Sequence, residues 1–83
     1  MIVKAYITRE TEAAIQIVTQ AALDNAEKGA AIRPLWLPRG KMVSFVELDE
    51  KSLEILTAQD GLRVGTPAVV GIDDSFAAKV GVK

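Results

Sequence analysis

The chain reads as a small α/β domain with elements in the order β-α-(extended)-β-α-β-β. Three observations lead there. Residues 2–7 and 41–48 are rich in β-branched and aromatic types and alternate along the chain, as strands do. Residues 9–28 are rich in Ala, Glu and Gln and lie between Thr8, a helix N-cap type, and Gly29, a helix-ending residue. Asp60-Gly61, which marks the end of a short helix, and the turn residues Asp73-Asp74 then divide the last third of the chain. A length of 83 residues accommodates one domain, 1–83, with an adequate rather than generous core.

The first strand, 2–7, leads into a helix over 9–28. Glu10 and Glu12 stand in its first turn, where the helix dipole favours acids, and Ile15, Val18, Ala22 and Ala26 form its apolar stripe. Residues 29–40 contain Pro34 and Pro38, which exclude a helix interior and a central strand, yet Leu35, Trp36 and Leu37 are too apolar for a free loop. An edge strand or a packed extended loop satisfies both constraints. The strand over 41–48 places Val43 and Phe45 on one side and Met42, Ser44, Val46 and Leu48 on the other. Asp49 can cap a short helix over 50–59, in which Leu53 and Leu56 lie one turn apart. A third strand covers 66–72, and a fourth covers 75–82, where Phe76, Ala78, Val80 and Val82 alternate with Ala77, Lys79 and Gly81.

The segment Gly61-Leu62-Arg63-Val64-Gly65-Thr66-Pro67-Ala68-Val69-Val70-Gly71-Ile72-Asp73 resembles the Thr-Pro or Val-Pro segment that opens the third strand of thioredoxin and glutaredoxin domains. With Val46-Glu47-Leu48-Asp49-Glu50 and the short helix before it, the likeness covers about half of the chain. It implies the βαβαββ thioredoxin-like fold. It also implies a cis bond before Pro67 and an extended backbone at Thr66 and Pro67 that pairs with a bound peptide or thiol substrate. The family's Cys-x-x-Cys would fall where the first strand meets the helix, but the junction reads Thr8-Arg9-Glu10-Thr11-Glu12, and the chain has no cysteine. Without a thiolate no disulfide exchange occurs. The alternative architecture is a ferredoxin-like α+β sheet, βαββαβ, formed if 32–37 pairs with 41–48 across Pro38-Arg39-Gly40. In that setting Lys41-Met42-Val43-Ser44-Phe45-Val46-Glu47-Leu48 lines up with the central strand of RNA-recognition motifs. Only Phe45 keeps an aromatic platform position, Val43 stands where a ring is expected, and Tyr6 is out of register.

Composition narrows the chemistry. Without cysteine or histidine the chain lacks thiolate metal sites and the commonest general base. Asp49-Glu50 and Asp73-Asp74 serve as caps and turns without a metal, and no Gly-Lys-Ser/Thr phosphate loop is present. No cofactor, metal site or catalytic residue is expected, and the protein is not read as an enzyme. Ten basic and eleven acidic residues are scattered along the chain, which disfavours nucleic-acid binding, and its apolar runs are too short to span a bilayer. A start that reads as a strand, with no secretory signal, points to the cytoplasm.

The expected function is that of a redox-inactive thioredoxin-like binding module for a protein segment near Thr66 and Pro67. Arg9, Trp36 and Arg39 join them as candidate binding residues. Thr66-Pro67 also reads as no more than the start of a strand, and Trp36 either plugs the core or forms an exposed patch for a partner or a second subunit. The alternatives are a ferredoxin-like RNA- or ligand-binding domain, and a homo-oligomeric structural protein closed by Trp36 or by an edge strand.

Overall fold

A computed structural model describes residues 1–26 and 31–81. Strand β1 (Ile2–Glu10) is longer than expected and runs through the position where the helix was to start. The chain then reverses over three residues, held where Thr11 donates its N–H to the Ala14 carbonyl at 2.8 Å and its Oγ1 accepts from Ala14 N at 3.1 Å. It returns as β2 (Ala14–Thr19), antiparallel to β1. The helix expected over 9–28 is thereby reduced to α1 (Gln20–Asn25), capped by Thr19 Oγ1, which accepts from Ala22 N. The stop expected at Gly29 lies outside the described residues. Packing decides this correction. Helix propensity separates these residues by only a few tenths of a kcal/mol each, whereas burying each of Ile15, Ile17 and Val18 contributes about 1.5–3 kcal/mol.

Strand β3 (Leu35–Pro38) pairs with β2, setting Leu35 against Ile17 and Leu37 against Ile15. It is an edge strand, as its prolines require, but it does not pair with residues 41–48 as the ferredoxin-like alternative needs. A 3-10 turn (Arg39–Lys41) crosses to β4 (Met42–Glu47), which pairs with the last long strand instead. Where the second helix was expected over 50–59, the chain forms β5 (Leu53–Thr57). A hairpin follows: Thr57 Oγ1 accepts from Asp60 N and donates to the Gly61 carbonyl, and Gly61 takes the left-handed conformation, φ 68°, that glycine adopts without strain. Strand β6 (Gly61–Ile72) then includes the expected strand 66–72 and begins five residues before it.

The expected fourth strand over 75–82 is a helix, α2 (Asp74–Val80), and Val82 lies outside the described residues. Asp73, expected in a turn, caps α2 by accepting from Phe76 N at 2.9 Å, and Gly81 ends it at φ 71°. The spacing of Phe76 and Val80 suits both periods. The Asp73 cap and the burial of Ala77 select the helix.

The result is a mixed α/β domain with a six-stranded sheet, in the order β3-β2-β1-β6-β4 with β5 also on β6, and every pairing between these strands is antiparallel. Neither the βαβαββ order nor the βαββαβ alternative is formed, because a hairpin stands where both place their first helix. Alternation along β1 divides the core between two faces. Ala5 and Ile7 join Ile17, Leu37, Ala68, Val70 and Ile72 on one face, which α2 covers with Phe76 and Ala77. Tyr6 lies on the other face with Val18 and Ile55, under Ala22 and Leu23 of α1 and under Ile32.

Gly65 marks a tight crossing between β6, β1 and β5. A Cβ there would lie 2.7 Å from the Tyr6 Cβ and 2.9 Å from Ile55 Cδ1. Gly65→Ala is expected to lower unfolding free energy by about 1–3 kcal/mol through overpacking, read from the midpoint of chemical denaturation at unchanged slope.

Candidate binding surface

Pro67 sits in the middle of β6, not at its start. It is buried, faces Tyr6 of β1 in the register, and follows a trans peptide bond, since the described residues contain no cis bond. On its other side the Leu48 N–H donates to the Pro67 carbonyl at 3.0 Å. The Thr66-Pro67 backbone is thus engaged within the sheet and offers no extended edge to a peptide, contrary to what the resemblance implies.

Proline has a different consequence here. It has no N–H to return to Leu48, so the ladder cannot be completed at that step. Strand β4 stops at Glu47, residues 48–52 leave the ladder, and β5 resumes pairing at Leu53 with Gly65. Lys4 fastens the departing link. Its Nζ donates to Glu50 Oε1 at 2.8 Å and lies 5.8 Å from the centre of the Tyr6 ring.

The other expected residues are only partly brought together. Trp36 is 37% exposed on the β3 edge, opposite Gln16, and its ring lies 6.0 Å from the Arg9 guanidinium. Arg9 also approaches Asp60 at 3.4 Å, and it shares a shallow polar cleft with Thr8, Glu10, Arg63 and Thr66. Arg39 stands apart, donating through Nε and Nη2 to the Thr11 carbonyl at 3.0 and 2.8 Å, which makes it a clamp on the β1–β2 turn. The aromatic platform of the RNA-binding alternative does not assemble. Tyr6 belongs to one face, while Phe45 is set against Val70 on the other.

Sequence reasoning missed the free edge of β4. Because Leu48 bonds to Pro67, alternation makes Val46 with Val69 and Ser44 with Gly71 the hydrogen-bonded pairs, so the backbone groups of Phe45 and Glu47 turn away from β6. Among the described residues no strand pairs with that side. Apolar side chains line it: Val43 is 73% exposed, Val46 58% and Phe45 38%. The sequence carries only a partial signal, apolar residues on both sides of 41–48, and that pattern does not say which of them is covered.

A buried polar pair lies on the inner strands. Thr8, the residue at which the β1–β2 register shifts, donates from Oγ1 to Gln16 Oε1 at 2.8 Å. Gln16 is fully buried, and its Nε2 has no partner among the described residues.

No family model, curated protein or solved structure matches the chain. Among the described residues no helix is long and apolar enough to cross a membrane, and no three His, Cys, Asp or Glu side chains group as metal ligands.

Thr8→Val is expected to destabilise the fold by about 1–3 kcal/mol, because it removes the one partner of a buried amide, whereas Thr8→Val with Gln16→Met should return to within about 1 kcal/mol of wild type. A denaturation double-mutant cycle measures the difference. The Lys4 ammonium is held above the usual lysine range, chiefly by its hydrogen bond to Glu50 and also by that carboxylate's charge. Its contribution is fully present below the ordinary lysine pKa and is lost as pH rises through the higher folded value. Lys4→Met should therefore narrow its stability gap to wild type at alkaline pH, and keep it constant from neutral pH up to the lysine range.

Proposed function

We propose that the protein is a redox-inactive, cytoplasmic binding module that takes up an extended segment of a protein partner along the free edge of β4. One observation carries this reading: Phe45 and Glu47 turn backbone groups away from β6 that no strand among the described residues pairs, beside exposed Val43 and Val46. Main-chain hydrogen bonds to an added strand supply affinity, and alternate side-chain contacts supply selectivity. Trp36, on the opposite edge strand β3, and Arg9, which reaches it from β1, do not contribute to this surface. Binding at β4 is independent of any kinship with thioredoxin, and it assigns no catalytic residue, metal or cofactor.

Glu47→Pro tests the backbone role directly. Glu47 and Ala68 form a non-hydrogen-bonded pair, so proline deletes the outward N–H and spares the bonds to β6. The variant should keep its far-ultraviolet circular dichroism and bind a captured partner about tenfold or more weakly than Glu47→Gln, which loses the same charge but keeps the N–H. Equal capture by the proline variant would sink the proposal.

A further inference from the structure

The edges of the sheet are protected unequally. Strand β3 is four residues long, contains Pro38 and follows Pro34, so it is a poor template for another strand. Strand β5 is covered by Ile32, whose N–H donates to the Leu56 carbonyl at 3.0 Å and whose carbonyl accepts from Ala58 N at 2.9 Å. Strand β4 has no such cover among the described residues. Its one protective device is the register shift between Met42 and Ser44, which confines any added ladder to the stretch from Ser44 onward.

Charge along β4 indicates what covers it. Lys41 precedes the strand, and Glu47 and Asp49 stand at its far end. All three are exposed, and none forms an ion pair among the described residues. From this complementarity we infer that the partner segment is β4 of a second copy, added antiparallel about a two-fold axis close to Phe45 and Val46. That arrangement lays the basic start of each strand beside the acidic end of the other, twice over, and brings the exposed valines and Phe45 of the copies together. A parallel alignment would set like charges side by side. The net charge of −1 opposes association only weakly.

The inference rests on the proposed use of the β4 edge, and sedimentation equilibrium with the full chain tests it. Wild type should dimerise in the range of about 1–100 μM, with the Phe45 and Glu47 amides becoming protected from hydrogen exchange as concentration rises. Lys41→Glu, and separately Glu47→Lys with Asp49→Lys, should each weaken the homodimer about tenfold, because like charges then face each other at both ends. An equimolar mixture of these two variants should regain wild-type affinity, since every charge again meets its opposite. Val46→Lys should also weaken self-association. A wild type that stays monomeric up to about 1 mM, or a dimer indifferent to these changes, overturns the self-pairing. Protection of the Phe45 and Glu47 amides in the monomer would overturn the docking edge itself.

Discussion

Strand β6 holds the sheet together, and the missing donor at Pro67 sets how its neighbours share it. Its twelve residues pair with β5 at the start, with β1 from Thr66 and with β4 from Ala68, so three strands depend on one backbone. A twelve-residue strand could bond to one unbroken partner along that length. Pro67 prevents this at Leu48, because only one of the two bonds of that pair can form. The interruption divides the partner into β4 and β5 and releases 48–52 to fold back toward β1, where Lys4, its ammonium over the Tyr6 ring, holds Glu50.

The two faces of the sheet are covered by different means. A single helix, α2, closes one face, and its short length suffices because Ala5, Ala68 and Ala77 let the elements approach closely. The other face is closed by α1, Ile55 and Ile32, three contributions from separate parts of the chain, with Gly65 making room for Tyr6 beside Ile55. Between the inner strands the register shift at Thr8 brings a hydroxyl and an amide into the interior. Thr8 satisfies the Gln16 carbonyl and leaves its nitrogen without a partner among the described residues. A buried polar pair of this kind fixes the register more than it adds stability.

The extent to which the chain was legible follows from how local each signal is. The strands over 2–7, 41–48 and 66–72 were legible because β-branched residues and alternation act within a few neighbours. The edge character of 35–38 was legible because proline removes a donor wherever it stands. Residues 9–28 misled because Ile15, Val18 and Ala22 fit a helical stripe, while Ile15 and Ile17 fit one face of a strand equally well. The choice between them was made by Ile7 and Leu37, which are remote in sequence. Residues 50–59 and 75–82 exchanged types for the same reason. Ile55 is needed beside Tyr6, and Phe76 and Ala77 are needed over the first face. Of the candidate site, Trp36 and Arg9 do meet, Arg39 serves a turn and Pro67 is buried. The open edge at Phe45 could not be read from the chain, since exposure is a property of what packs nearby.

Composition by itself determined that thiol and imidazole chemistry are absent, because no arrangement of the chain can supply groups it does not contain. It likewise determined that residues 35–38 would make a poor central strand, and that an element would end at Asp60-Gly61. Only the tertiary structure decided that the long Ala-rich segment begins as a strand, that Pro67 interrupts a ladder instead of opening a strand, and that among the described residues β4 is left with one side free. Each of these depends on pairing and burial between residues far apart in the chain, where about 1.5–3 kcal/mol per buried side chain outweighs local preferences of a few tenths.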